Sequence, residues 1–186
     1  MKVWKLEGSL DGFEEIQLAD FEKDYDKYFD EQFYKTTSIA EIWSNVKVIT
    51  LNEGKKSDCP HFWDSGETVV LSERGLNTVS DLIKDQAEAL PLIHPEQRYY
   101  AMHVVNAIDA INYDQAKVRK LSTGLRVGFD KYAFIPGKLK NQHIFRIYLD
   151  TKIYPFVFVS DEFKNVVESN GLAGFQFIEV WDSEKE

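Results

Sequence analysis

Cysteine is almost absent from this sequence. Cys59 is the only one, so an internal disulfide is impossible and the cysteine framework of a small secreted domain is missing. No apolar run approaches the roughly 20 residues that a membrane-spanning helix requires. The best stretch, Ile153 to Val159, has the length of a strand and contains Pro155. Met1 to Leu10 alternates charged and bulky residues without the apolar core of a secretory signal, so we expect a cytoplasmic protein.

Proline and glycine are also scarce, with 5 and 10 among the 186 residues. The chain contains no low-complexity linker and no repeat with a solenoid period. Because 44% of the residues are hydrophobic, it can bury enough apolar surface to offset the entropy lost on folding. We therefore predict one domain over residues 1–186, ending in a short charged tail at 182–186.

Basic residues are outnumbered, 22 against 31 acidic ones, which gives a formal net charge of -9. Such a chain repels nucleic acid and anionic lipid unless its cations are strongly clustered. The densest basic group has only the spacing of a solvated face: Lys117, Arg119, Lys120 and Arg126. We therefore expect neither a nucleic-acid nor a membrane partner. An acidic surface suits a basic protein partner, although many proteins are acidic only for solubility.

Hydrophobic periodicity predicts strands and helices mixed without regular βαβ alternation. The predicted fold class is α+β, with mainly antiparallel sheets and a few packed helices. One pattern occurs twice: an apolar strand runs into a helix whose N-cap is a serine, Ser72 in the first case and Ser160 in the second. We expect the first helix to extend through Ile83 and close at Leu90-Pro91, and the second to stop at Gly171.

Two further segments give less direct patterns. Tyr99 to Asn112 alternates like a strand and then repeats like a helix, so we predict a strand that passes into a helix near Asn106. The aromatic run around Tyr132 and the apolar run from Ile144 are predicted to form a hairpin across the Pro136-Gly137 turn.

Aromatic and acidic residues are concentrated between Asp20 and Tyr34. The aromatic residues have the spacing of one helix face, with Asp20 as N-cap: Phe21, Tyr25, Tyr28, Phe29 and Phe33. Either this stripe packs on the core with a solvated acidic face behind it, or the segment is an acidic, aromatic-edged surface for a basic partner. The second interpretation gives eight candidate partner-binding residues: Asp24, Tyr25, Asp26, Tyr28, Phe29, Asp30, Glu31 and Tyr34.

Candidates for metal binding and catalysis are weak. One loop contains four potential metal ligands without a second pair at zinc-site spacing: Asp58, Cys59, His61 and Asp64. The neighbouring Phe62 and Trp63 favour a turn pinned onto the core. Ser72 and Ser160 sit at strand-to-helix turns but lack the flanking glycines of a nucleophile elbow, which favours caps. No carboxylate pair and no phosphate-binding glycine loop can be singled out, so we predict no catalytic residue, metal or cofactor.

An ordered set of short motifs runs along nearly the whole chain and is strongest from Val157 to Trp181. The motifs are Val3-Trp4-Lys5-Leu6, Ser57-Asp58, Val70-Leu71-Ser72-Glu73-Arg74, Leu90-Pro91, Tyr99-Tyr100 to Asn106 and Asp109, Ile144-Phe145-Arg146, Phe158 to Lys164, Gly171 to Phe175 and Phe177 to Val180. Together they resemble the bacterial polymorphic-toxin immunity proteins of the class numbered eleven. This resemblance implies a cytoplasmic protein that binds and neutralises a cognate secreted toxin domain without catalysis.

The same resemblance assigns no contact residue, but it implies that the toxin binds outside the family motifs. Its motifs fall on strand ends, caps and a glycine turn, so they look structural, and the contact surface should lie elsewhere. The sequence departs most from the family pattern between Gly12 and Trp43 and between Asn112 and Leu125.

Two other classes of function remain open from the sequence. A secretion chaperone or adaptor would share this composition but release its partner for export. A small-substrate enzyme would need a concave pocket in which carboxylates of shifted pKa act as acid and base. The aromatic residues could equally serve a homodimer.

Overall fold

Strands dominate the structure, a computed structural model that describes residues 1–63 and 66–185. The predicted α+β class is confirmed, since the sheets are mostly antiparallel and α-helices are few and short. The strands are β1 Lys2–Gly8, β2 Glu15–Leu18, β3 Val48–Asn52, β4 His61–Phe62, β5 Val70–Ser72, β6 Ala87–Ile93, β7 Arg98–Val104, β8 Ala107–Ile108, β9 Lys117–Lys120, β10 Arg126–Lys131, β11 Ile144–Leu149, β12 Lys152–Ile153, β13 Val157–Ser160 and β14 Phe175–Asp182. The α-helices are α1 Phe21–Asp24, α2 Glu73–Val79 and α3 Asp161–Ser169. A π-helical turn spans Tyr25–Phe29, and 3-10 turns span Gln32–Tyr34 and Pro136–Lys138.

The largest sheet has the order β12-β11-β13-β1-β14, with β8 pairing in parallel with β11. Its strand β13 is apolar at every position from Val157 to Val159 because both faces of the strand are covered. Val157 and Val159 face the core beside α2 and α3, and Phe158 faces an aromatic core on the other side. The first and last strands of the chain, β1 and β14, pair with each other in this sheet.

Two three-stranded sheets adjoin one another, β5-β7-β6 and β3-β2-β4. A parallel bridge between Lys47 and Ile93 connects the start of β3 to the end of β6. The inner faces of both sheets contribute to one core, which also receives the aromatic side chains of residues 28–43. Both sheets therefore form the platform on which the acidic and aromatic residues that follow Asp20 are placed.

Both predicted serine caps are present. The Ser72 Oγ accepts the N–H of Gly75 at 3.0 Å, and the Ser160 Oγ accepts the N–H of Phe163 at 3.2 Å. Gly171 follows α3 with φ of 60°, the left-handed conformation that glycine adopts without strain. Asp182, predicted as the first residue of the charged tail, is the buried last residue of β14. Glu186 lies outside the described residues, and the prediction of one domain stays a prediction.

The predicted end of the first helix is wrong. Helix α2 ends at Val79, and Leu90 and Pro91 belong to strand β6. Asp85, with φ of 65°, turns the chain so that β6 pairs antiparallel with β7 along its whole length. Pro91 is tolerated there because β6 is an edge strand, where a missing N–H disturbs the ladder least.

The predicted helix after Asn106 and the predicted Pro136-Gly137 hairpin are also wrong. The Asn106 side-chain amide donates to the Ile144 carbonyl at 3.0 Å, and the chain continues as β8 along β11. Pro136 begins a 3-10 turn, β11 pairs with β13, and Phe134 bridges to Ile111 instead. Long-range pairing therefore overrides the local pattern in both segments. Among the helices described here, none has the length and apolar composition to cross a membrane.

Candidate protein-binding surface

Residues 20–34, called the acidic segment below, carry six acidic and two basic side chains. The segment begins as predicted, with the Asp20 carboxylate accepting the N–H of Lys23 at 3.2 Å. The α-helical geometry lasts only for Phe21–Asp24, and the chain then widens into the π-helical turn Tyr25–Phe29. The acidic segment is thus a series of short helical turns rather than the single amphipathic helix that the spacing predicts.

The buried cation Arg146 anchors the end of the acidic segment. Its guanidinium donates to the carbonyl oxygens of Phe33 and Glu67, both at 3.1 Å, and lies 4.8 Å from the centre of the Tyr34 ring. The Tyr34 hydroxyl donates to the Glu67 carboxylate at 2.5 Å. Arg146 is on β11, so the largest sheet holds the acidic segment through these contacts.

A second anchor holds the chain just beyond the segment. The His103 ring is completely buried, with Nδ1 3.0 Å from the Glu88 carboxylate and Nε2 2.9 Å from the Lys35 carbonyl oxygen. The same carboxylate accepts the Ile39 N–H at 3.1 Å. Burial raises the pKa of Glu88, but hydrogen bonds from Ser38, His103 and the Ile39 N–H outweigh it, so that this pKa lies below its ordinary value.

The eight predicted partner-binding residues divide into three groups by exposure. Asp24, Tyr28 and Phe29 are buried, Tyr25 and Tyr34 are half-buried, and the rest are exposed: Asp26, Asp30 and Glu31. The buried aromatics pack with Phe33 and Trp43 as the first interpretation of the stripe describes. A partner that docks on this fold would therefore meet the three exposed carboxylates and the two half-buried tyrosines. That contact stays a prediction.

Exposed apolar side chains lie beside the acidic segment, at positions that were not predicted from the sequence as a site. Trp63, predicted to help pin a turn onto the core, is 45% exposed, whereas its neighbour Phe62 is buried. The Phe21 ring meets the Trp63 ring edge-on and stacks on the Tyr25 ring, with centroids 4.7 Å apart in both pairs. The sequence signal for this surface was the presence of two apolar residues, Ile49 and Leu51, at alternate positions of β3. A half-buried strand normally carries polar residues on its outer face.

The family-like motifs converge on Asp58, which lies in the loop before β4. Its carboxylate accepts the Ser72 hydroxyl at 2.8 Å, the Ala173 N–H at 3.0 Å and an Arg74 N–H at 3.2 Å. The other terminal nitrogen of Arg74 donates to the carbonyl oxygens of Asn170 and Gly171, both at 3.1 Å, and so binds the C-terminal end of α3. These motif residues bond to one another, as expected for structural motifs.

In the loop with the four potential metal ligands, Cys59 and His61 lie in other surroundings. The Cys59 thiol is fully buried, and burial, with a further contribution from Asp58, raises its pKa far above the ordinary value. The His61 Nδ1 lies 3.3 Å from the Gly8 carbonyl oxygen, and Asp64 lies outside the described residues. Within residues 1–63 and 66–185, no group of three His, Cys, Asp or Glu side chains is arranged to hold a metal ion.

A comparison with protein families finds a match for the second half of the chain. Residues 93–182 match the immunity protein family (Imm11). The predicted family resemblance is confirmed, although the matched segment is shorter than the motif series suggests. A comparison with curated proteins finds no match.

The Imm11 segment contains most of the largest sheet. It extends from the end of β6 to the end of β14, so that it includes α3 and the buried Arg146. The acidic segment and Trp63 lie before it in the chain. The Imm11 segment contacts both Asp58 and the acidic segment. The Ala173 N–H donates to the Asp58 carboxylate, and Arg146 donates to the Phe33 carbonyl oxygen.

Proposed function

We propose that this chain is a cytoplasmic immunity protein that binds a cognate toxin domain and blocks it without catalysis. The observation that carries this proposal is the Imm11 match over residues 93–182. The net charge of -9 supports a protein partner with a basic surface, since opposite charge accelerates diffusional encounter. We assign the first electrostatic contact to Asp26, Asp30 and Glu31, with Tyr25 and Tyr34 at their edge, because these residues of the acidic segment are accessible.

The function is tested by affinity capture of the tagged protein from the cells that make it, followed by expression of each stoichiometric partner with and without this chain. A partner that is toxic alone and harmless beside this chain supports the proposal. If the partner remains active in the complex and is released on export, the chain is a secretion chaperone. Absence of any neutralised toxin, in cells shown to make one, contradicts the immunity function.

The role of the acidic segment is tested by charge reversal. In the double variant Asp26→Lys/Asp30→Lys, we expect association with the neutralised toxin domain to slow by about tenfold at low salt, because long-range attraction is lost. The salt dependence of the association rate should flatten as well. Stopped-flow fluorescence at several ionic strengths measures both effects.

A matched control separates local charge from net charge. The variant Asp81→Lys/Glu184→Lys changes the formal charge by the same amount at two exposed positions outside the acidic segment and outside Asn112–Leu125. It should keep most of the association rate. Equal slowing in both double variants would show that only the net charge matters and would remove the acidic segment from the proposed interface.

A further inference from the structure

We propose that the apolar anchor of the toxin interface is an exposed patch formed by Phe21, Trp63, Ile49 and Leu51, which we call the outer patch. This inference rests on the proposed function and adds the surface that slows dissociation of the complex. The partner that fits the outer patch is a protein surface with an apolar protrusion surrounded by basic side chains.

Strand pairing places Ile49 and Trp63 on one face of the β3-β2-β4 sheet, and Phe21 joins them from α1 through its ring contact with Trp63. Gln17 of β2 pairs with Ile49 of β3, and the exposed Leu51 follows at the register shift after which Glu15 pairs with Asn52. On the other side of β2, the Trp63 N–H donates to the Ile16 carbonyl at 3.0 Å, so the ladder continues one residue beyond β4. Because Phe62 points into the core, Trp63 points to the outer face together with Gln17 and Ile49.

All four side chains are among the large apolar residues that the fold leaves exposed. Phe21, Leu51, Ile49 and Trp63 are between 40% and 45% exposed, whereas the inner face of the same sheet is closed by Ile16 and Val48. Single exposed apolar residues are ordinary, but an exposed Phe21–Trp63 ring pair next to a sheet whose edge strand exposes Ile49 and Leu51 is typical of an interaction site.

The aromatic part of the outer patch is held in place before any partner binds. The Phe21 ring is fixed between Tyr25 and Trp63, and Phe21 itself begins the helical turn capped by Asp20. A large side chain that is already ordered loses little conformational entropy on binding, so its buried area contributes more fully to affinity. Trp and Tyr are also the residues most enriched at the energetic centres of protein interfaces.

Charge around the outer patch selects the partner. Glu15 lies on the outer face, and Glu22 and Asp26 follow Phe21 in the adjoining turns of the acidic segment. The exposed cations Lys23, Lys27 and Lys47 are also close in the chain, so the acidic excess comes from the acidic segment as a whole, with six carboxylates against two lysines. The outer patch is continuous with the acidic segment through Phe21 and Tyr25, which makes a basic, apolar-centred protein surface the complementary occupant.

The test uses the toxin domain that passes the coexpression assay above. We expect Trp63→Ala to weaken the dissociation constant about 30-fold, mainly through faster dissociation, because a buried aromatic anchor acts after encounter. Ile49→Thr, which keeps a β-branched residue in the strand, should weaken it about fivefold. Surface plasmon resonance gives both rate constants, and thermal unfolding of each variant checks that the fold is retained.

The matched control is Ile135→Ala, which shortens an apolar side chain that is 36% exposed, precedes the 3-10 turn Pro136–Lys138 and lies outside both divergent stretches. It should change the dissociation constant less than twofold. If Trp63→Ala fails to fold, Ile49→Thr carries the test.

The contradicting outcomes are distinct from failure of the proposed function. Wild-type affinity in both Trp63→Ala and Ile49→Thr, with a toxin that the chain neutralises, overturns the outer patch and leaves the immunity function intact. A wild-type dimer that Trp63→Ala converts to monomer, seen by sedimentation, shows that the patch binds a second copy and also overturns the inference. If no toxin is neutralised, the outer patch falls together with the immunity function.

Discussion

We call Asp58 and its bonded partners Ser72, Arg74 and Ala173 the motif cluster. This cluster and the acidic segment use an aspartate side chain in opposite ways. Asp58 is 8% exposed, and its carboxylate joins β5, α2 and the turn that follows α3. Asp26 is exposed on a π-helical turn whose aromatic neighbours Tyr28 and Phe29 supply the anchoring. Asp58 therefore serves folding, and Asp26 is available to a partner. Both aspartates precede residues 93–182, so the family match alone does not distinguish the structural carboxylate from the accessible one.

The largest expected effect comes from removing the carboxylate at the centre of the motif cluster. Asp58→Ala leaves the Ser72 hydroxyl and the Ala173 N–H without their acceptor, so we expect the free energy of unfolding to fall by about 3 kcal/mol. Asp26→Ala should change it by less than about 0.5 kcal/mol. Urea denaturation of both variants measures the difference. Similar losses in the two variants would contradict the division between a structural and an accessible aspartate.

Local signals in the sequence were sufficient for the caps but not for the cluster that they join. Ser72 and Ser160 were predictable because a cap bonds to an N–H only three residues away. The Asp58 to Ala173 bond spans 115 positions, and no periodicity of the intervening chain encodes it. The predicted hairpin across Pro136 fails for the same reason, since β11 takes β13 as its partner through long-range packing.

The candidate surface was predictable only in part. The concentration of acidic and aromatic residues after Asp20 is visible in the sequence, but which aromatics are buried depends on the change from α-helical to π-helical turns after Asp24. The exposure of Trp63 was not predicted, because a tryptophan beside Phe62 is equally consistent with a buried position. Only the pairing of β4 with β2 decides which of the two neighbours faces outward.

Two glycines provide a sharper test of how tightly the motif cluster is packed. Gly174 and Gly124 have nearly equal positive φ values, 82° and 84°, so alanine is strained at both positions. A Cβ on Gly174 would lie 1.8 Å from the Ser57 Oγ, whereas a Cβ on Gly124 would have nothing within 4 Å. We expect Gly124→Ala to cost about 1 kcal/mol and Gly174→Ala about 1–2 kcal/mol more. Thermal or urea unfolding of the two alanine variants separates the cost of the Ser57 contact from the cost of backbone strain. Equal losses of stability would show that the structure around Asp58 adjusts easily to the added methyl group.

The smallest expected effect concerns Glu88, which anchors the chain just beyond the acidic segment. Glu88 accepts the Ile39 N–H and holds the His103 ring against the Lys35 carbonyl, so Glu88→Gln should cost about 1 kcal/mol at pH 6 through loss of charge-assisted hydrogen bonds. Because the folded-state pKa of Glu88 lies below its ordinary value of 4.5, its contribution is present above that pH and is lost as the pH falls through the folded-state pKa. The stability difference between wild type and Glu88→Gln should therefore narrow below pH 4.5.

Urea denaturation from pH 6 to pH 3 measures this narrowing, and Glu31→Gln serves as the exposed control that should follow the wild-type profile throughout. Hydrogen exchange at the Ile39 amide adds a local readout, because that N–H loses its charged acceptor only in the Glu88 variant. A constant stability difference across the whole pH range would mean that the Glu88 carboxylate does not stabilise this chain through its charge. The acidic segment would then be held mainly by Arg146 and by the packing of its buried aromatics, and its coupling to the sheets would not respond to pH.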